Sequence, residues 1–466
     1  MNSSDEINAL LQSAKAKEKP VPEQEADLDD ELDDFCLVDE SELVEPPDYD
    51  SFPWLHPKHP LYFPPTQSST ESRWERVDKF SVENWYPFLK KHTFASSFVT
   101  LNYDDIQFLM GNPPPIYDSR QLEETFNNIL TKFSNKEAFM RMSTRSPKDS
   151  KFLFEEAASI MSQDRVYWSD NSNKNQQLVS FVSSMLKAMK VKDGRKIVEM
   201  ISQSPRVFSD LLALVSSSEP SACQTKVILR EWYDIRPDHE FRIFVSRRNR
   251  KESVVTAIAQ YFHFLHFDQS PSDCFNFLEK EQLIAAGKKF EKYVLKSVDP
   301  DVAKFLNFSS EEDEDVSGDC IREYIIDLAL IPIEQYHGEV TDDNLIVIGK
   351  SAYVMVVIEL NPFAPAATGS ATFNWKNDLP MLWGQDYECP YLSYRVAPRE
   401  DLHTVTLLPS GYESVIENAL TKRLKSQDSS TITQRDRLFT PEPIVDSTPP
   451  TARVAPELTS SPSGSF

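Results

Sequence analysis

The chain has 466 residues, of which 40% are hydrophobic and 26% are charged, as in ordinary globular proteins. Lys and Arg number 49 against 73 Asp and Glu, so the formal net charge of −24 has the wrong sign for a protein that wraps nucleic acid. The ten glycines form neither a Gly-x-Gly-x-x-Gly fingerprint nor a Walker loop, which disfavours classical dinucleotide folds and P-loop NTPases. The length predicts more than one hydrophobic core, and therefore two lobes.

Cysteine usage and hydropathy indicate the compartment. The five cysteines are scattered and form no C-x-x-C pair, which favours a reducing compartment over a disulfide frame or a thiolate zinc site. The N-terminus lacks the pattern of a secretory signal, and no run of about 18 apolar residues occurs. We therefore expect a cytoplasmic protein that contacts neither membranes nor nucleic acid directly.

The first 73 residues predict a disordered, acidic and Pro-rich extension. Residues 23–50 contain fourteen Asp or Glu and no Lys or Arg, and a Pro-rich stretch follows. Such a composition cannot bury enough apolar surface to build a core. The run FCLVDESELVEPP (35–47) sets apolar residues among acids, a pattern suited to a short linear motif, although an inert solvated tail is commoner.

Residues 74–224 predict a helix-rich N-terminal lobe. Apolar residues recur at spacings of three and four over 119–133, 174–191 and 194–201, as they do in amphipathic helices. The segment FMRM around Arg141 is more typical of a strand.

Residues 225–425 predict a C-terminal lobe dominated by strands. The β-rich runs are 226–235, 241–246, 253–262, 321–330 and 352–360. A helix is expected among them, over residues 273–298. Because helices lead and strands dominate the second half, α+β is the expected fold class.

Residues 426–466 are rich in Ser, Thr and Pro, which predicts a disordered tail.

Three oxygen-bearing residues in the later strands suggest a metal site. Asp327 interrupts an apolar strand, where an ionised carboxylate needs a partner. Glu359 and Asn361 are two positions apart and so face the same way on a strand. If the two strands pair, two carboxylates and one amide oxygen come together, a set suited to Mg²⁺. Taken alone, Asp327 would more commonly be neutralised by an Arg, and Glu359 would be a solvated strand end.

Two basic segments suggest phosphate binding. After Arg141, residues 143–149 offer hydroxyls, cations and backbone N–H groups around Pro147, which suits a polyphosphate, although a surface loop is the bland alternative. In the strands that follow, Arg230 shares a face with Trp232, and Glu240 shares a face with Arg242. Those arginines suit phosphate, or equally a cross-strand pair with a carboxylate.

These segments, in this order, resemble the cell division cycle protein 123 family of the ATP-grasp superfamily. The match runs over about residues 74–400 and is carried by WYPF, FMRMSTRSPKDS, VILREW, EFRIFV, IAQY, IIDLAL, IELNPF, TFNW and PYLSYR, which are specific together and weak singly. The sequence departs from the family at Arg141, where the family has Lys, at Glu359, where it has Asp, and at Tyr261, where a basic residue is usual. The stretch from 327 to 359 is also longer than the family's hairpin.

The resemblance implies a two-lobed ATP-grasp-like fold, with antiparallel sheets around a nucleotide cleft. It implies Mg²⁺ ligands at Asp327, Glu359 and Asn361. The implied ATP contacts are Arg141, Ser146, Asp149, the Val227 to Leu229 backbone, Arg230, Glu240, Arg242, Gln260 and Asp327.

The function that this resemblance implies is ATP-dependent assembly of translation initiation factor 2. The protein would be a monomeric chaperone that binds ATP and Mg²⁺ together with the gamma subunit of that factor. Two alternatives remain open. One is an ATP-grasp ligase that joins a carboxylate to an amine, and the other is a nucleotide-free scaffold that binds through its acidic tail.

Overall fold

The computed structural model describes residues 79–143, 145–164, 166, 173–249, 252–267, 278–306, 323–363, 369, 371–375, 378–384, 411–412 and 414–423. The predicted disordered extension (1–73) and tail (426–466) lie outside the described residues. Within those residues, no helix combines the length and the apolar character needed to cross a membrane.

Helices and strands alternate irregularly along the chain. The strands are β1 (Ser96–Leu101), β2 (Ala138–Met142), β3 (Lys190–Val191), β4 (Thr225–Glu231), β5 (Glu240–Asn249), β6 (Glu252–Gln260), β7 (Glu323–Pro332), β8 (Leu345–Ile348) and β9 (Ser351–Pro362). The helices are α1 (Val82–Leu89), α2 (Tyr103–Leu109), α3 (Ser119–Leu130), α4 (Lys151–Gln163), α5 (Lys174–Ala188), α6 (Gly194–Ser202), α7 (Pro205–Ser217), α8 (Lys280–Tyr293), α9 (Asp299–Phe305) and α10 (Leu379–Leu382). A π-helical turn, Val294–Val298, joins α8 to α9.

The strands form two antiparallel sheets. The first has the order β1-β4-β2-β3, and the second has the order β6-β5-β7-β9-β8. Mixed helices and antiparallel sheets confirm the α+β class, and each helix and strand expected from periodicity is present, with bounds shifted by a few residues. The helix expected over 273–298 begins at Lys280 within the described residues.

The sheets divide the chain differently from the expected lobes. Strand β4 lies after the expected boundary at residue 225, yet it is an inner strand of the first sheet. Helix α1, from the expected N-terminal lobe, packs against α9 on the second sheet. Residues 414–423 are helical, and Val415 and Ala419 pack in the core of the first sheet rather than in the C-terminal lobe.

The long segment between Asp327 and Glu359 contains an additional strand. Strand β8 pairs with the outer side of β9, while β7 pairs with the inner side. The extra length therefore extends the second sheet by one edge strand and leaves β7 and β9 adjacent.

The two faces of the second sheet bury different partners. On one face, Ile326 and Leu328 of β7 pack under α1, α8 and α9. On the other face, Ile325 and Ala329 belong to separate apolar clusters, and Asp327 lies between them in the sequence. This second face is turned toward the first sheet, and we call it the cleft face.

A β-bulge determines which side chains of β9 reach the cleft face. Asp327 pairs with Glu359, but the next residue, Leu328, pairs with Val357, so Ile358 is an extra residue. Val357 packs on the helix-covered face. Regular alternation would place Glu359 on that face as well. The extra residue turns Glu359 onto the cleft face, beside Asp327.

Candidate functional site

A cavity of about 470 Å³ lies between the two sheets, which is large enough for a nucleotide-sized ligand. Its walls come from β2, from the end of β4 and the segment after it, and from β5, β7 and β9. The lining combines aromatic, apolar and charged side chains. Among them are Phe139, Arg141, Ser146, Lys148, Leu186, Met189, Trp232, Glu240, Tyr261, Asp327, Ile358 and Glu359.

Asp327 is neutralised by Arg242 across neighbouring strands. Arg242 Nε donates to Asp327 Oδ1 at 2.8 Å, and Nη2 donates to Oδ2 at 2.8 Å. The remaining guanidinium nitrogen, Nη1, donates to the carbonyl of Gly369 at 2.6 Å, and both ionic side chains are buried. The two-pronged geometry is the fork that a guanidinium makes with a planar anion. The alternative that the sequence left open, an arginine partner for Asp327, is therefore present. The oxygen-bearing side chains predicted to bind a metal also lie together here.

Asn361 links the two carboxylates of the predicted metal site. Its Nδ2 donates to Asp327 Oδ2 at 2.8 Å and lies 3.4 Å from Glu359 Oε1. The structure thus brings together Asp327, Glu359 and Asn361. That they bind a metal stays a prediction.

Glu359 forms an ion pair with Arg141 of the first sheet. Burial alone would raise the pKa of Glu359, but the charges of Arg141 and Lys148 outweigh it and lower this pKa to about 2. The carboxylate is therefore ionised at neutral pH, and an arginine of one sheet lies against an acid of the other across the cavity.

The pKa of Glu240 is shifted in the opposite direction from that of Glu359. It lies two residues before Arg242 and lines the same cavity. Burial raises its pKa to about 8, with a smaller contribution from the charges of Asp327 and Glu359, while Lys148 opposes the shift. At neutral pH Glu240 is mainly protonated, so it can donate a hydrogen bond instead of repelling an anion.

Only part of the predicted phosphate-binding segment, residues 143–149, lines the cavity. Ser146 and Lys148 line it, but Asp149 accepts hydrogen bonds from Ser204 Oγ and, at 2.9 Å, from the backbone N–H of Arg206. These donors belong to the start of α7. Asp149 therefore anchors the loop to that helix, and it is not among the residues lining the cavity.

Besides Asp149, four expected ATP contacts are not among the residues that line the cavity: Arg242, which is buried and paired with Asp327, and Val227, Leu229 and Gln260. Val227 and Leu229 are in the middle of β4, whose backbone pairs with β1 on one side and β2 on the other, and their side chains pack in the first core. Gln260 pairs with Phe241, whose ring packs on the helix-covered face, and paired residues point to the same face of a sheet. The side chain of Gln260 therefore points away from the cleft, and the next residue, Tyr261, lines the cavity. The backbone segment that does line the cavity begins at Glu231.

Arg230 lines the cavity but is 1% exposed, and described protein groups already engage two of its nitrogens. Sequence reasoning also missed Thr93, one of those groups, since nothing around a single threonine before β1 marks it.

The donor set suits a hard divalent cation. Two carboxylates and an amide are oxygen ligands of the kind that Mg²⁺ prefers, and the amide of Asn361 would present its oxygen after a flip. Among the described residues there is no cluster of three or more His, Cys, Asp or Glu side chains that could hold a metal. A site here must therefore include the amide.

A comparison with models of protein families agrees with the resemblance seen in the sequence. A family model described as D123 matches residues 179–401. The structure of Cdc123 from Schizosaccharomyces pombe is 15% identical, with a TM-score of 0.39, over 70% of this chain and 98% of that one. A C-terminally truncated Cdc123 from the same organism is 15% identical, with a TM-score of 0.38, over 68% of this chain and 93% of that one. No curated protein matches.

Proposed function

We propose that the chain is a member of the D123 family, whose model matches residues 179–401, and that it is an ATP- and Mg²⁺-binding assembly factor. Its proposed client is the gamma subunit of translation initiation factor 2, which it would help to enter the heterotrimer in the cytoplasm. The single observation that carries the nucleotide part is the charged wall of the cavity, which Arg141, Lys148, Asp327 and Glu359 line, with the buried Arg242 paired to Asp327.

Two properties of the cavity support nucleotide binding: its size, and its combination of apolar residues with positively charged residues. Phe139, Trp232 and Ile358 offer apolar surface suited to a base. Arg141 and Lys148 supply positive charge suited to phosphates, and a protonated Glu240 adds a hydrogen-bond donor without adding repulsion.

Asp327, Glu359 and Asn361 would hold the magnesium ion. When bound, the ion would neutralise phosphate charge next to the two carboxylates. Arg141, which pairs with Glu359, would then be released toward the phosphates. The exchange keeps the number of compensated charges constant, which is what a buried site requires.

The net charge of −24 supports a basic client surface. Opposite charges on two partners raise their rate of association more than their final affinity. Seventeen acids and three bases fall within residues 1–50, so most of this charge belongs to the predicted extension.

Assembly of the heterotrimer from purified subunits tests this proposal. The full chain with ATP and Mg²⁺ should bind the free gamma subunit and increase the yield of the heterotrimer. Glu359→Gln should bind less gamma subunit under the same conditions. If the gamma subunit binds neither protein, the proposed client is wrong, while nucleotide titration of the chain alone decides the ATP part separately.

A further inference from the structure

Arg230 contacts the bulge of β9 directly. Its Nη1 donates to the carbonyl of Ile358 at 2.6 Å, and its Nη2 donates to Thr93 Oγ1 at 2.6 Å. Ile358 is the extra residue that turns Glu359 toward the cleft. An arginine of the first sheet is therefore bonded to the residue that sets the direction of a predicted metal ligand in the second.

Thr93 holds the neighbouring residue of the same bulge. Its Oγ1 donates to the carbonyl of Val357 at 2.6 Å, and the two residues form an isolated parallel bridge. The N–H of Val357 in turn donates to the carbonyl of His92 at 2.8 Å. The hydroxyl of Thr93 thus accepts from Arg230 and donates to β9, so it links the two.

The guanidinium of Arg230 is held on its faces as well as at its edge. Its central carbon lies 4.9 Å from the ring centroid of Phe94 and 5.8 Å from that of Trp85. Burial, together with the smaller effect of the charge of Arg141, lowers the pKa of Arg230 to about 9. A buried cation with so little solvation depends on its acceptors, so the contact with the Ile358 carbonyl resists displacement.

We propose that Arg230 and Thr93 are positioning residues that hold the bulge at Ile358, so that Glu359 and Asn361 face the cleft and can bind the cation together with Asp327. We call the contacts among Arg230, Thr93, Val357 and Ile358 the bulge clamp. Its importance for metal binding rests on the proposed function, whereas its action on β9 does not.

The bulge clamp also couples the two sheets at the metal site. Arg230 lies on β4, and Ile358 lies on β9. Glu359 is the next residue and pairs with Arg141 of β2. A change in the separation of the sheets would therefore act on Glu359 through its backbone and its side chain together.

Two substitutions at residue 93 isolate the hydroxyl from the rest of the side chain. Thr93→Val keeps the shape but removes the acceptor of Arg230 and the donor to Val357, and Thr93→Ser keeps the hydroxyl. Hydrogen exchange of residues 353–362 in the full chain without nucleotide should be at least tenfold faster in Thr93→Val and near wild type in Thr93→Ser.

Calorimetric titration of ATP with and without Mg²⁺ gives the functional readout. In Thr93→Val the enhancement of ATP affinity by Mg²⁺ should fall at least tenfold, while the affinity measured without Mg²⁺ stays within twofold of wild type. Thr93→Ser should restore the enhancement. Ile197→Ala, in the core of the first sheet, lowers stability without touching the clamp and should keep the enhancement.

The outcomes separate the two proposals. Unchanged exchange over residues 353–362 in Thr93→Val overturns the bulge clamp. Faster exchange with an unchanged Mg²⁺ enhancement overturns its role in cation binding. If wild type itself shows no Mg²⁺-dependent ATP binding, the proposed function fails, and the exchange data still decide whether the clamp holds β9.

Discussion

Arg242 and Asp327 face each other on adjacent strands and share two hydrogen bonds of 2.8 Å, with both side chains buried. The pair crosses the middle of the cleft face, between two apolar clusters of the second sheet. A carboxylate proposed as a metal ligand therefore also balances the charge of a buried guanidinium.

Removing one member of this pair should destabilise the fold. Asp327→Ala leaves Arg242 buried and uncompensated, so we expect the free energy of unfolding to fall by about 3–5 kcal/mol. The double substitution Arg242→Met with Asp327→Leu should lose much less, because it removes both charges. Urea unfolding measures both values. If the double substitution lowers the free energy of unfolding by as much as its two single substitutions do together, this account of the pair is contradicted.

Glu240 should make stability depend on pH in an unusual direction. Its pKa in the folded protein is about 8, against an ordinary value of 4.5, so the folded state keeps a proton that the unfolded state has released between these values. This contribution to stability is complete below the ordinary value and is lost as the pH rises toward 8.

Comparison with Glu240→Gln isolates that contribution. The amide does not titrate, and the other ionisable groups are common to both proteins. The stability of wild type relative to Glu240→Gln should therefore decrease steadily from pH 5 to pH 8.5 in thermal unfolding. Parallel profiles for the two proteins would mean that Glu240 is ionised in the folded state.

Gln260 provides a test of the strand register. Its side chain is 1% exposed, and its Nε2 has no hydrogen-bond partner among the described residues. Gln260→Met should raise the free energy of unfolding by about 1 kcal/mol, since a buried amide donor without a partner costs roughly 1–3 kcal/mol. ATP affinity should stay unchanged, because the side chain belongs to the helix-covered face. Loss of ATP affinity would show that Gln260 reaches the cleft.

The sequence predicted several features of the site because they depend on local rules. Glu240 and Arg242 share a face, as expected from strand alternation, and so do Glu359 and Asn361. Asp327 was expected to need a compensating partner, since it is a carboxylate in an apolar strand; an arginine was the alternative to the preferred metal ion, and Arg242 is bonded to it.

Other features depend on contacts that no local pattern specifies. Nothing in the run Val357, Ile358 and Glu359 indicates a bulge, because it arises from pairing with β7 and contact with Arg230. Gln260, expected beside the cleft, lies on the helix-covered face while its neighbour Tyr261 lines the cleft, because a difference of one residue in a strand reverses the face. Helix α7 holds Asp149 through a contact 55 residues away along the chain, which sequence spacing does not reveal.

Glu359 is proposed to help bind a cation that strengthens ATP binding. Calorimetric titration of ATP with and without Mg²⁺ tests it most directly, in wild type, in Glu359→Gln and in a matched control, Glu231→Gln, at another acid that lines the same cavity. Mg²⁺ should raise the ATP affinity at least tenfold in wild type and in Glu231→Gln, and less than twofold in Glu359→Gln. An equal enhancement in all three proteins, or none in wild type, would contradict the claim.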